Sequence, residues 1–217
     1  MGVFASKRLK QAGVTFTTTF NPTLYKNYTK FVVIRHPFDR ILSTFYNIKH
    51  GSRYGLGPGR PIKNTLIQRN NITNIKGLQF EQFVDFLTNT SYKTMASILF
   101  DRHLDTFAHA CNLCGVNYDY VIRFEDMAND AGPILKQLGF SEDYLLKREV
   151  LNKGRREKSV EQVGDTYLKE FKGMDPRKID ALAKRFSIDM KLLGYSFDPD
   201  TSMTSCKVKA PGDGECC

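Results

Sequence analysis

The sequence predicts an α/β fold with a mainly parallel sheet flanked by helices. Two observations carry this. Short apolar runs at 31–35 and 118–122 have the length and β-branched or aromatic content of strands, and each leads into a stretch with apolar residues at three- and four-residue spacing. A chain of 217 residues with 41% apolar and 25% charged side chains also has enough material for one globular core.

Taken in order, residues 1–30 have no firm period, although 15–19 is rich in β-branched residues and reads as a short extended segment. Residues 31–35 form a continuous apolar run closed by Arg35, the pattern of a strand buried on both faces. Pro37 follows, and Phe38, Ile41, Leu42, Phe45 and Ile48 mark an amphipathic helix over 37–49. Residues 51–61, with four glycines and two prolines, read as a loop, and a polar stretch continues to Gly77. Phe80, Phe83, Val84 and Leu87 mark the next helix. After the second strand at 118–122, Ile134, Leu135 and Leu138 belong to a helix closed by Gly139. Two further helices are expected over 161–172 and 175–193, the second ending at Gly194. Residues 1–198 are expected to form a single domain, and 199–217 a flexible tail.

Charge is unevenly distributed. Residues 1–63 hold eleven Lys and Arg against Asp39 alone, a net of +10, whereas the remainder is nearly balanced. Such an excess points to an anionic partner or to a solvated basic face. No nucleic-acid motif accompanies it, so nucleic acid is not the expected partner. The longest uninterrupted aliphatic and aromatic run, 31–34, falls far short of the roughly 20 residues that span a bilayer, and 1–10 lacks the apolar stretch of a signal peptide.

The chemistry-bearing stretch is 33–43. Arg35 stands at the carboxyl end of a strand, where ligands gather on α/β sheets. Ser43 stands in the second turn of the following helix. His36, Arg40 and Ser43 fall at i, i+4 and i+7 and share one helix face. A guanidinium fork, a hydroxyl donor and the free N–H groups of a helix amino end together suit a phosphate or sulfate group. The plainer alternative pairs Arg35 with Asp39 and leaves Ser43 facing water. Cys111 and Cys114 have the spacing of half a zinc site or a redox pair, but no second half follows, and a disulfide half-framework or two buried thiols fits better. No metal site is expected. Asn27, Asn71 and Asn89 open glycosylation triplets.

Residues 35–45, RHPFDRILSTF, resemble the RxPFxRLxSAY segment of the Golgi carbohydrate sulfotransferases, the chondroitin, dermatan and N-acetylgalactosamine 4-O-sulfotransferase group. A second block runs through His103, Leu104, Cys111, Cys114 and 118–125 and is similar to the family's HW…C…C…YDxVGxFE stretch. A third, Tyr167 followed by 188–195, is similar to its Y…DxxLFGY ending. The resemblance implies a P-loop-like sulfotransferase fold and an enzyme that moves a sulfuryl group from 3′-phosphoadenosine-5′-phosphosulfate (PAPS) to a hydroxyl of a glycan or proteoglycan, on the lumenal side of the Golgi membrane. It places the 3′-phosphate on Arg35 and Ser43, and it makes Cys111–Cys114 a disulfide suited to an oxidising lumen. Arg155 and Arg156, in a basic loop, are candidates for nucleotide phosphate or an acidic glycan. His103, and after it His36, is the candidate base.

Departures are also visible. Nothing in 1–30 matches the family's lysine-bearing 5′-phosphosulfate loop, Leu104 stands where the family has Trp, and Ile122 where it has Gly. The expectation is therefore a catalytic domain missing its beginning, with a non-catalytic anion- or glycan-binding paralogue as the alternative.

Overall fold

A computed structural model describes residues 26–50, 60–91, 104–139 and 170–197. Two parallel strands, β1 (Phe31–Ile34) and β2 (Tyr120–Arg123), pair in the register Phe31↔Tyr120 to Ile34↔Arg123. The pairing begins one residue earlier: the Lys30 carbonyl accepts from Asp119 N–H (2.8 Å) while the Asp119 carboxylate accepts from Lys30 N–H (2.7 Å). It ends with Phe124 N–H donating to the Ile34 carbonyl. Both strands thus leave the sheet side by side at their carboxyl ends.

Helix α1 (Pro37–His50) follows β1 after two residues. Proline at its first position, Asp39 in the first turn, and Lys49 and His50 in the last turn all suit the helix dipole. Its apolar stripe, Phe38, Ile41, Leu42, Phe45 and Ile48, is buried throughout. Facing it are α2 (Arg60–Arg69), a 3-10 turn (Ile75–Gly77) capped by the Asn74 side chain, and α3 (Phe80–Thr88), where Gln82 accepts from the Gln79 N–H. Phe80, Phe83, Phe171, Leu182 and Phe186 complete this main core. A smaller cluster of Val32, Ile34, Leu193 and Tyr195 lies under the sheet.

The rest of the frame is built from short helices: α4 (Phe107–Ala110), α5 (Met127–Gln137), α6 (Pro176–Arg185) and α7 (Ser187–Leu193). Asp130 on the first turn of α5 accepts from the backbone N–H and the guanidinium of Arg123, fixing that helix to the end of β2. α7 stops at Gly194, whose φ of 68° is the left-handed conformation that glycine adopts without strain.

Several expectations need correction. The β1 run is not buried on both faces: Phe31 and Val33 are 54% and 38% exposed, while Val32 and Ile34 lie inside. The single helix over 175–193 is two, broken at Phe186, which buries its ring in the main core. The polar stretch reaching Gly77 contains α2, held by Ile62 and Leu66, a one-turn pair with no exposed side-chain area. The four-residue α4 is too short to leave a periodic signal in the sequence. The remainder of the expected loop at 51–61, the segment 1–25, residues 161–169 of an expected helix and the tail from 199 lie outside the described residues. No helix among the described residues is long and apolar enough to cross a membrane.

Candidate functional site: the carboxyl edge of the sheet

Because Ile34 pairs with Arg123, the next residues of each strand, Arg35 and Phe124, emerge together. The Arg35 guanidinium lies over the half-exposed Phe124 ring, 4.9 Å from its centroid. One residue further, the Glu125 carboxylate accepts from the His36 backbone N–H at 2.6 Å and from the Tyr195 hydroxyl at 3.1 Å. A single carboxylate therefore joins the exits of both strands to the segment after α7.

The His36 ring is buried. Its Nδ1 accepts from Phe38 N–H (3.2 Å), so its Nε2 carries the proton donated to the Ser196 carbonyl (3.1 Å). Burial lowers its pKa to about 4, against the opposing pull of the Ser196 carbonyl and Glu125. The ring is also packed edge-on against Phe38 and Tyr195. With both nitrogens engaged, it acts as a wedge between α1 and the chain after α7.

Arg40, one turn into α1, turns inward. Its guanidinium sits over the Phe107 ring (4.3 Å to the centroid) and pairs with Asp189 at 3.4 Å. Asp189, fully buried, also accepts from the Phe107 and Ala108 N–H groups at 2.7 and 3.0 Å, so it caps α4 as well. Burial raises the Asp189 pKa, opposed by these three charge-stabilising partners. Arg40 thus belongs to the frame and not to an anion pocket, and the shared face expected for His36, Arg40 and Ser43 divides. The first two are buried, while Ser43 lies at its edge on a partly exposed stripe with Asp39 and Tyr46.

Three polar side chains at the strand-to-helix junction are left unsatisfied among the described residues. Arg35 Nε is buried with no hydrogen-bond partner, and neither Asp39 nor Ser43 makes a side-chain hydrogen bond. No Arg35–Asp39 ion pair forms either, so the plainer reading of Arg35 does not hold. Burial raises the Asp39 pKa to about 6, with Arg35 pulling it down and Glu125 pushing it up. Buried polar atoms normally find partners; at this junction Arg35 Nε is the buried one without, and the partly exposed Asp39 and Ser43 stand next to it in the chain. Cationic Arg35, the Ser43 hydroxyl and the amino end of α1 provide donors suited to an anion such as a phosphate ester.

His103, Arg155 and Arg156 lie outside the described residues. Asn27, Asn71 and Asn89 are all exposed, Asn71 at a turn with φ of 49° and Asn89 at the carboxyl cap of α3. The Cys111–Cys114 disulfide is not formed: Cys111 is a thiol, whereas Cys114 is disulfide-bonded. The reason is directional. Cys111, at the end of α4, packs toward the small core cluster, and Cys114 is exposed on the turn beyond it. Among the described residues no group of three or more His, Cys, Asp or Glu is arranged to hold a metal ion. Sequence reasoning missed Glu125 and Tyr195 as a linked pair and Asp189 as the partner of Arg40. Their signal was the order of the three motif blocks, which meet at this edge.

The profile of the sulfotransferase family matches residues 4–196. Carbohydrate sulfotransferase 10 of Homo sapiens is 30% identical over 175 residues, 78% of this chain and 48% of that protein. The Mus musculus protein of the same name is 31% identical over 176 residues, again 78% and 48%. Carbohydrate sulfotransferase 11 of Rattus norvegicus is 31% identical over 128 residues, 54% of this chain and 34% of that protein. The chain spans about half the length of the first of these relatives. No solved structure matches it significantly. With residues 35–45, 118–125 and 188–195 of its motif blocks meeting around one sheet edge and a family match along most of its length, this chain belongs to the sulfotransferase family.

Proposed function

We propose that this chain works as a carbohydrate sulfotransferase, with PAPS as donor and a hydroxyl of a glycan or proteoglycan as acceptor. The observation that carries the reading is the unsatisfied trio at the β1–α1 junction, Arg35, Asp39 and Ser43, in a chain of this family. Arg35 holds the 3′-phosphate of the donor through its guanidinium, which Phe124 supports from one face. Ser43 adds a neutral hydroxyl donor from the second turn of α1. His36 keeps the entry of α1 in place through Ser196 and Glu125, which makes it a positioning residue and leaves His103 as the proposed base. When bound, PAPS supplies an activated sulfuryl group. Arg155 and Arg156 are proposed as additional phosphate or glycan contacts.

The names of the relatives support carbohydrate as the acceptor class, and the resemblance of the motif blocks to the Golgi carbohydrate sulfotransferases supports work in the Golgi lumen. The exposure of Asn27, Asn71 and Asn89 supports glycosylation of all three there.

Binding of adenosine 3′,5′-bisphosphate to the chain, measured calorimetrically, tests the pocket. Arg35→Ala removes a charge-assisted contact worth about 1.5–3 kcal/mol, a loss of roughly 10- to 150-fold in affinity. Unchanged affinity refutes the assignment. Transfer of labelled sulfate from PAPS to a panel of defined glycans tests the reaction itself, and a failure to label any of them with a donor-competent protein would remove the enzymatic reading.

A further inference from the structure

Asp39 is the one acidic side chain in the first 63 residues, and it stands where a bound phosphate would least favour it. It stands one turn before Ser43 on the partly exposed stripe of α1, and Arg35, two residues ahead of that helix, is close enough to act on its charge. It is partly buried and receives no hydrogen bond from any N–H or O–H among the described residues. The charged and titratable groups that bear on it come from three places. Arg35 at the exit of β1 is cationic, Glu125 at the exit of β2 is anionic, and the neighbouring His36 is neutral, with both ring nitrogens occupied. A carboxylate held between a cation and an anion without a donor of its own is poorly stabilised. A dianionic phosphate on Arg35 would offset the cation that favours its ionised form.

We propose that Asp39 is a proton-coupled specificity residue of the phosphate pocket, which takes up one proton from solvent as the phosphate ester binds and donates the resulting O–H to a phosphate oxygen. The inference rests on the assignment of Arg35 and Ser43 to that phosphate. The balance is simple: one proton leaves the solvent, one carboxylate becomes a carboxylic acid, and no other bond changes. The pocket then offers three donors, from Arg35, Ser43 and Asp39, and selects a phosphate that accepts hydrogen bonds over a cationic or donor-rich ligand. The free-state pKa of about 6 is consistent with this arrangement, because a modest further rise on binding suffices to protonate the group near neutrality.

The sign follows from linkage. A group whose pKa rises on binding makes binding stronger at low pH, and affinity falls by up to about tenfold per pH unit between the free and bound pKa values. The experiment is calorimetric titration of the full chain with adenosine 3′,5′-bisphosphate at pH 6.5 to 8.5, in paired buffers of different ionisation enthalpy. The wild-type chain should take up a proton and weaken at least tenfold across this range. Asp39→Asn should take up none beyond the titration of the ligand itself, stay within about twofold from pH 7 to 8.5, and bind more tightly than wild type at pH 8.5. Equal pH slopes and equal proton uptake in the two proteins would overturn the proposal. The underlying pocket is judged separately by Arg35→Ala: if that variant loses affinity while Asp39→Asn changes no slope, the phosphate assignment stands and the role of Asp39 falls. If Arg35→Ala binds as wild type, the pocket itself is elsewhere. Cooperative thermal unfolding of all three proteins in the absence of ligand, with neither variant melting below wild type, would exclude misfolding as the cause, and restoration of the slope in Asp39→Glu would identify the carboxyl group as the titrating species.

Discussion

Arg35 and Arg40 stand five residues apart across one strand-to-helix junction and have opposite surroundings. Arg40 is enclosed: Phe107 and Phe186 cover its guanidinium, Asp189 pairs with it, and the same carboxylate caps α4. Arg35 is partly exposed, is supported by Phe124 from one face and has no carboxylate partner among the described residues, although the Nε atom of each arginine is buried without a hydrogen bond. The first cation is neutralised within the fold. The second has no carboxylate partner among the described residues and is left for an anionic ligand. The difference teaches how a short motif divides its labour: within RHPFDRILS, two of the five polar residues, His36 and Arg40, hold distant chain segments together, and the other three make no side-chain hydrogen bond among the described residues, so that an anion can become the partner.

Breaking the frame gives the largest expected effect. Asp189→Ala removes the carboxylate that pairs with the buried Arg40 and leaves two α4 amides without their acceptor. Removal of one member of a buried pair costs about 3–5 kcal/mol. Urea denaturation should place the midpoint of this variant well below that of the wild type. A loss under about 1 kcal/mol would mean that Arg40 finds another anion and that the frame and pocket are not distinct.

The pocket should respond with the opposite sign. Asp39 has a folded-state pKa of about 6 against an ordinary 3.8, so between these values the native chain binds the proton more readily than the unfolded chain. Stability from this group is therefore lost as pH rises through that window, and the deficit is complete above pH 6. Asp39→Asn removes the ionising group and should stabilise the chain by up to about 3 kcal/mol at pH 7.5, at about 1.4 kcal/mol for each pH unit separating the folded and unfolded pKa values. The gain should vanish near pH 4. Denaturation at the two pH values measures it, and a variant no more stable at pH 7.5 than at pH 4, relative to wild type, would remove the claim that the pocket carries an unsatisfied carboxylate.

Much of the frame was legible in the sequence because it is local. Pro37 and the spacing of Phe38, Ile41, Leu42, Phe45 and Ile48 specify α1 without reference to anything distant, and Gly194 marks the end of α7 for the same reason. What was not legible depends on contacts across the chain. Arg40 and Arg35 look alike until Asp189, 149 residues beyond Arg40, is brought to one of them. The helix α2 leaves no periodic signal in the sequence because two fully buried residues, Ile62 and Leu66, anchor it, too few apolar positions to establish a period. The break at Phe186 arises because the ring is drawn into the main core, which a periodic apolar pattern on either side conceals. Cysteine spacing likewise carried no information on direction, and Cys111 turns to the small core cluster while Cys114 lies exposed. The site was visible as a set of residue types, and its central property, three polar groups denied local partners, required the fold.

Ser43 gives the smallest and most diagnostic effect. Its hydroxyl makes no hydrogen bond among the described residues, so deleting it removes no interaction seen in the folded chain. Ser43→Ala should leave stability within about 0.5 kcal/mol of wild type, as for a surface substitution away from any structural feature. A hydrogen bond from this uncharged hydroxyl to a bound phosphate contributes about 1.5 kcal/mol, the low end for a bond to a charged group, which corresponds to roughly tenfold in affinity for adenosine 3′,5′-bisphosphate. The combination separates the two halves of the motif: a frame residue loses stability and affinity together, whereas a pocket residue loses affinity alone. If Ser43→Ala destabilised the chain while binding as wild type, its hydroxyl would belong with Arg40 in the frame, and the pocket would be reduced to Arg35 and the amino end of α1.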